Sequence, residues 1–392
     1  ESRLLTLEGP IMTATQVHPI DSMAAKDWQQ LAAELGTEFG NRAATHDSEN
    51  RFVADNYESL RAHGLFSLMI PEQLGGGGAD YATLCNLVRE FGRHCGSTAL
   101  SFSMHSHPVA LNVFKHLRGD DKATATLRRI ADQQLVIAGT GANDWLESSG
   151  EMTPVDGGYR VTARKHFVSG GPGAQVFVSS ATLAGEDGSE VLHFAIPFAS
   201  AGVNRHDNWN TLGMRGTGSN DISLDDVFVP EAAIVARRPA GEWHPMWNVI
   251  LPVAMPIIMS AYMGIADAAL ELARAAAAKR ADDLADAFGE AQNRHTAAAI
   301  AHADMVRLSD NYGFTPTTQL SSAILTRKTL LADAARDSVE LAVEIVGGAG
   351  FFKGHPMERL LRDVRASHFH PLPYRRQYRF CGRVGLGLDP IG

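Results

Sequence analysis

The sequence predicts a mainly α-helical protein with a central β domain: helices over 12–134, strands over 135–238 and helices again over 239–392. Three observations carry that reading. Apolar residues recur at helical spacing from about Met23 to Leu135. Short β-branched segments separated by glycine and aspartate turns follow, and the helical period returns after Pro239. A chain of 392 residues is too long for one small core, so two or three packed domains are expected.

In the first block Trp28, Leu31, Leu35 and Phe39 recur at three- and four-residue steps and place one apolar stripe on a helix. Gly64 reads as a helix stop and Pro71 as the restart of the next helix. Gly75–Gly78 reads as a flexible break before the periodic stretch Tyr81–Phe91. The strand candidates are Leu135–Ala138, Gly158–Ala163, Gln175–Ser180, Leu192–Ile196 and Val227–Val229. Turns at Asp156-Gly157-Gly158 and Glu186-Asp187-Gly188 suggest an antiparallel barrel or sandwich. Ile265–Ala277, Asn293–Leu308 and Thr317–Val346 are the long helices predicted at the end.

Charge and composition exclude several classes. Thirty-five basic against 44 acidic residues leave a formal charge of −9, which offers no footprint for nucleic acid. Cys85, Cys95 and Cys381 lie far apart without metal-ligand spacing, so neither a metal site nor a disulfide framework is predicted, and a reducing cytoplasm fits. No signal peptide opens the chain, and Met12 is a candidate native start that leaves residues 1–11 as a remnant. Trp243–Ala266 has no Asp, Glu, Lys or Arg, yet three prolines, a histidine and an asparagine interrupt it; it reads as a buried core helix and not a membrane span.

Four motifs carry chemistry. The first runs from Gly64-Leu65-Phe66 to Pro71-Glu72-Gln73-Leu74-Gly75-Gly76. The second is Lys165-His166-Phe167-Val168-Ser169-Gly170-Gly171. The third is Leu212-Gly213-Met214-Arg215-Gly216-Thr217-Gly218-Ser219, with Val227-Phe228-Val229-Pro230 behind it. The fourth is Val346-Gly347-Gly348-Ala349-Gly350-Phe351, followed by Glu358-Arg359 and Arg362-Asp363. In this order they resemble the signatures of the acyl-CoA dehydrogenase superfamily over nearly the whole chain. The resemblance implies a helical N-terminal domain, a middle β-barrel, a C-terminal four-helix bundle and a flavin, FAD in dehydrogenases. By the same resemblance Phe167 and Ser169 replace the Trp and Thr that line the flavin ring, an aromatic wall and a hydroxyl suited to a flat apolar ring with a polar edge. Thr140 and Gly141-Ala142 are what remains of the family's flavin loop. Arg215 and Thr217 are cofactor candidates. Glu344, Gly347 and Gly348 are expected near a cofactor pyrophosphate across a subunit boundary, which implies a homodimer or homotetramer. Arg362 and Asp363 read as a structural ion pair.

Two departures bear on the reaction. A dehydrogenase of this type needs a carboxylate within about 3 Å of an acidic α-proton. Pro371 stands where the usual glutamate is expected, and Ala254 stands at the alternative position, within Trp247–Met263, which holds no carboxylate. The arginine turn that grips a flavin dinucleotide is reduced to Ala285-Asp286-Ala287-Phe288-Gly289, with Lys279 or Arg280 as substitute cations. The resemblance places first the oxidation of an acyl thioester such as acyl-CoA, with electrons leaving to an external acceptor. The alternative is a two-component monooxygenase of the same superfamily. It would use dioxygen and reduced flavin, FMN included, from a flavin reductase to act on a small aromatic or heteroatom-containing substrate. There His370 resembles a catalytic histidine, with Ser169 and one of His105 or His107 as companions. A silent flavin-binding subunit is the third reading.

Overall fold

Asp27 opens the first described helix: its carboxylate accepts the amide hydrogens of Gln29 and Gln30 and caps α1 (Trp28–Ser48). The computed structural model describes residues 27–140, 144, 146–186 and 188–392; Met12, Gly141-Ala142 and Asp187 lie outside them. Leu35 and Phe39 of the predicted stripe are buried, and Phe39 meets Phe91 edge-on at 5.0 Å. α2 (Ala54–Ala62) ends before Gly64, which takes the left-handed conformation. Pro71 does not restart an α-helix. It opens a single 3-10 turn at Glu72–Leu74, and the helix resumes at α3 (Tyr81–His94), capped by Asp80. Nor is Gly75–Gly78 loose. The amides of Gly76, Gly77 and Gly78 bond the carbonyls of Pro71, Ser67 and Ile70, and a Cβ on Gly76 would stand 2.1 Å from the Ile70 oxygen. The glycines are there for close approach.

α4 (Gly96–His116) and α5 (Asp121–Gln133) complete the first block. Among the described residues eight strands follow: β1 (Ile137–Gly139), β2 (Glu151–Val155), β3 (Gly158–Lys165), β4 (Val176–Leu183), β5 (Glu190–Pro197), β6 (Val203–Arg205), β7 (Ile222–Pro230) and β8 (Ile234–Pro239). They form one sheet in the order β6-β7-β3-β2-β4-β5-β8, with β1 alongside β4. Its ladders are antiparallel as expected except β1–β4 and β2–β4, which are parallel.

The last block is α6 (Trp247–Ala277), α7 (Ala281–Ser309), α8 (Thr318–Val346), α9 (Pro356–Val364) and α10 (Tyr374–Gly385). α6 is long and apolar enough to cross a membrane, but 89% of its most apolar window is buried among the other helices. It tolerates Pro256 because the carbonyl that proline leaves without an amide donor, that of Pro252, accepts from Ser309 Oγ at 2.7 Å. α3, α4, α7 and α8 all pack against it. Arg362 and Asp363 do not pair with each other. Arg362 forks onto Asp47 of α1 and Glu358, while the buried Asp363 carboxylate accepts the Met214 amide, so the two tie α9 to the first helix and to the β domain.

Candidate active site

β3 ends in a buried lysine. Lys165 donates to Asp144 at 2.9 Å, Ser148 Oγ at 3.0 Å and Ser149 Oγ at 3.1 Å. Burial lowers the Lys165 pKa while Asp144 holds it up. Arg238 of β8, also buried, donates to the Asp144 carbonyl at 2.8 Å. The two cations pin the Asp144–Ser149 stretch that follows Thr140. Thr140 itself shares a hydrogen bond with Ser179 at 2.9 Å.

Beyond Lys165 the backbone turns through a positive φ of 63° at Phe167, which leaves that ring 56% exposed with the Trp209 ring edge-on at 6.2 Å. Ser169 lies behind it, almost wholly buried, 2.7 Å from Ser219 Oγ. Ser219 is 2.7 Å from Thr217 Oγ1, and Thr217 donates to the Met214 carbonyl at 2.9 Å. A carbonyl only accepts and each hydroxyl has one proton, so the direction is forced: Ser169 donates to Ser219, Ser219 to Thr217, Thr217 to Met214. Ser169 is left with acceptor capacity alone. Thr217 is fully buried and its hydroxyl is spent inside the loop, while Arg215 is half-buried and donates to Asn50 at 3.2 Å.

The two candidate histidines of α4 separate cleanly. His105 is fully buried; its Nδ1 accepts the Ile137 amide at 3.0 Å, so Nε2 carries the proton and donates to the Phe66 carbonyl at 2.8 Å. Both nitrogens are structural. His107, two residues on and half-buried, donates from Nδ1 to the Ser103 carbonyl at 3.3 Å, which leaves Nε2 with a lone pair. His370 approaches Tyr262 of α6, whose hydroxyl lies 3.4 Å from its Nδ1; the phenol can donate to that nitrogen or accept from it. Burial, then the charges of Lys328 and His107, pull His370 down to about 3, and burial takes His107 to about 4. Both rings are neutral near pH 7, and His107 presents a lone pair at Nε2. Ala254 and Pro371 are buried and carry no carboxylate. Asp363, which acts on Tyr262 electrostatically, is engaged with Met214.

Glu344 and Gly348 are exposed and Gly347 is half-buried, and a Cβ on either glycine would meet nothing within 4 Å. They share no hydrogen bond with the groups above among the described residues. The arrangement suits a flavin: Phe167 offers an exposed aromatic face with Trp209 edge-on beside it, and Ser169 keeps acceptor capacity for a polar ring edge. Cations for a dinucleotide are scarcer. Ala285–Gly289 lies within the continuous helix α7 beside Asp282 and Asp283, and Arg280 is turned to Asp283 at 3.3 Å.

Models of the N-terminal, middle and C-terminal domains of acyl-CoA dehydrogenase match residues 24–133, 143–227 and 251–370 in order. The chain belongs to the acyl-CoA dehydrogenase superfamily. It is accordingly a flavin-dependent oxidoreductase. Within the superfamily it is similar to a dibenzothiophene monooxygenase from Mycolicibacterium goodii, at 26% identity over 88% of this chain and 91% of that one. An amino sugar nitrososynthase from Streptomyces rubradiris is 27% identical over 89% and 86%. FMN-bound TdsC from Paenibacillus sp. A11-2 shares the fold at a TM-score of 0.81 and 20% identity, over 92% and 97%. Sequence reasoning missed Tyr262 and Lys328 beside His370. Lys328 had a signal, because it interrupts the apolar stripe Ile324, Leu325, Leu331, Ala332, Ala335 on α8.

Proposed function

We propose that the chain is the oxygenase component of a two-component flavin monooxygenase, taking reduced FMN from a separate reductase and acting on a small aromatic or heteroatom-containing substrate. The observation that carries this reading is the make-up of the site. Both positions that would hold a dehydrogenase base, Ala254 and Pro371, lack a carboxylate, and His107, His370 and Tyr262 are gathered there instead. The monooxygenase and nitrososynthase relatives support it over the acyl-thioester oxidation that the scaffold first suggests. Bound in its reduced form, the flavin supplies two electrons to dioxygen, of which one atom goes to the substrate and the other to water.

Each residue then has a task. Phe167 offers its face to the ring plane, and Trp209 braces that ring edge-on. Ser169, limited to accepting, matches a ring edge that bears a hydrogen, which a reduced flavin has at N5. With the Tyr262 phenol donating to Nδ1, His370 keeps a proton on Nε2 for an oxygen that gains charge, and His107 offers a lone pair to a substrate proton. FMN is favoured over FAD by the acidic face of α7. The open turn at Gly347–Gly348, with Glu344 beside it, is offered to a neighbouring copy in a homo-oligomer.

The test is to supply the protein with FMN, NADH and a flavin reductase and to follow oxygen uptake and product over a panel of thiophenes, indoles and amines. Reductase-dependent oxygenation is expected. Anaerobic bleaching of the bound oxidised flavin by an acyl-CoA thioester would overturn the reading. Flavin binding with neither oxygenation nor thioester oxidation would leave a silent flavin-binding subunit.

A further inference from the structure

Lys328 is the one lysine of α8 and has no exposed surface. A buried ammonium is costly unless paired, yet no carboxylate lies within salt-bridge distance of it among the described residues. Asp333, the acid nearest along α8, bonds His368 at 3.0 Å and Tyr378 at 3.2 Å instead. Lys328 spends its protons on the backbone, donating to the Ser367 carbonyl at 2.8 Å and the Leu372 carbonyl at 3.4 Å. These carbonyls flank His370, three residues before it and two after. A second tie runs beside the first: Gln377 donates to the Leu372 carbonyl at 2.6 Å and is itself held by Thr329 at 2.9 Å.

We propose that Lys328 is a positioning residue, a clamp that holds the turn carrying His370 in place and acts on oxygen transfer only through that histidine. The inference rests on the monooxygenase reading above. A leucine or methionine would fill the stripe more cheaply, so what the lysine adds is the pair of bonds to the turn. Burial draws its pKa down to about 7, and both the ammonium and the amine can donate to carbonyls, so the clamp persists on either side of neutrality. It also explains how an exposed neighbour, Phe369 at 68%, can sit beside a histidine in a fixed place.

The test uses Lys328→Met, His370→Ala and the double variant in the full-length protein. In the apoprotein, histidine ring nitrogens labelled with 15N report the tautomer of His370, whose signal is assigned by its loss in H370A. The wild type is expected to show one neutral tautomer with the proton on Nε2, and K328M a mixture or an exchange-broadened signal. In turnover, K328M is expected to lower product formed per oxygen consumed at least tenfold, with hydrogen peroxide making up the difference and substrate KM within threefold of wild type. In the H370A background the same substitution should change coupling less than twofold. An unchanged His370 signal, or effects of K328M and H370A that multiply, would overturn the clamp. Should K328M fail to fold, Gln377→Leu carries the test by the same criteria. Wild-type protein that transfers no oxygen would sink the functional reading and leave the apoprotein result to decide the clamp alone.

Discussion

Replacing His105 by Phe separates a structural histidine from a catalytic one. The ring is fully buried, meets Phe66 edge-on at 5.0 Å, and bonds the Ile137 amide and the Phe66 carbonyl. Phenylalanine keeps the shape but leaves one donor and one acceptor unpaired, at about 1–3 kcal/mol each, so H105F should lose about 2–6 kcal/mol at pH 7. Burial holds the native His105 pKa at about 4, against 6.5 for a free ring. Between those values the unfolded chain binds the extra proton, so this stabilisation is complete above 6.5 and drains away as pH falls towards 4. The drop of 2.5 units is worth about 3.4 kcal/mol in full and about 2 kcal/mol by pH 5. H105F has no such group, so its deficit relative to wild type should narrow by about 2 kcal/mol between pH 7 and pH 5. Urea unfolding followed by tryptophan fluorescence at several pH values reads both quantities. His107→Phe, with one ring nitrogen to lose and a half-buried site, should cost less than 2 kcal/mol at pH 7. The reasoning fails if H105F is as stable as H107F, or if its deficit is the same at both pH values.

Other perturbations follow from the site. Phe167→Ala removes an exposed ring, so the unfolding midpoint should hold while the FMN dissociation constant rises about tenfold, about 1.4 kcal/mol, as read by flavin fluorescence. Asp144→Asn strands the buried Lys165 ammonium and should cost about 3–5 kcal/mol in urea unfolding; adding Lys165→Met should recover more than half of it. His370→Ala should fold normally yet lower the rate of product formation about a hundredfold, with oxygen uptake continuing as peroxide release.

Much of the fold was legible because its long helices are strongly periodic or free of charge, as α6 is from Trp247 to Ala266. Three strands were not. β2 contains Pro154 and buries only Met152, β6 is three residues at a sheet end, and β8 hides its alternation behind Arg237 and Arg238, the second of which is buried. Period-2 patterning fails where only one residue turns inward, as in β2, where a strand is a short edge, or where its inward residue is charged. At the site, Phe167, Ser169 and His370 could be picked out because a motif or a missing glutamate drew attention to them. His105 and His107 could not be ranked, since a helix turns about 200° over two residues and the sequence does not say which face meets β1. Thr217 belongs to a recognisable loop, but only the direction of its hydrogen bond shows that it supports Ser169 from behind.

The crossing of α3 with α6 sets a timetable. Gly264 lies so close to α3 that a Cβ there would stand 2.1 Å from the Arg89 oxygen, and Tyr81 Oη donates to the Val253 carbonyl at 2.7 Å. Ribosomes add about 5–20 residues per second, so the 172 residues added after Gly92 to reach Gly264 take roughly ten to thirty seconds to make. Throughout that interval Tyr81, Arg89 and Gly92 wait for the helix that will meet them. The three-part order of the sequence is therefore an order of synthesis and not of folding. The first block is finished only when the third arrives, and a chaperone would find the nascent chain at its stickiest while the β domain is being made.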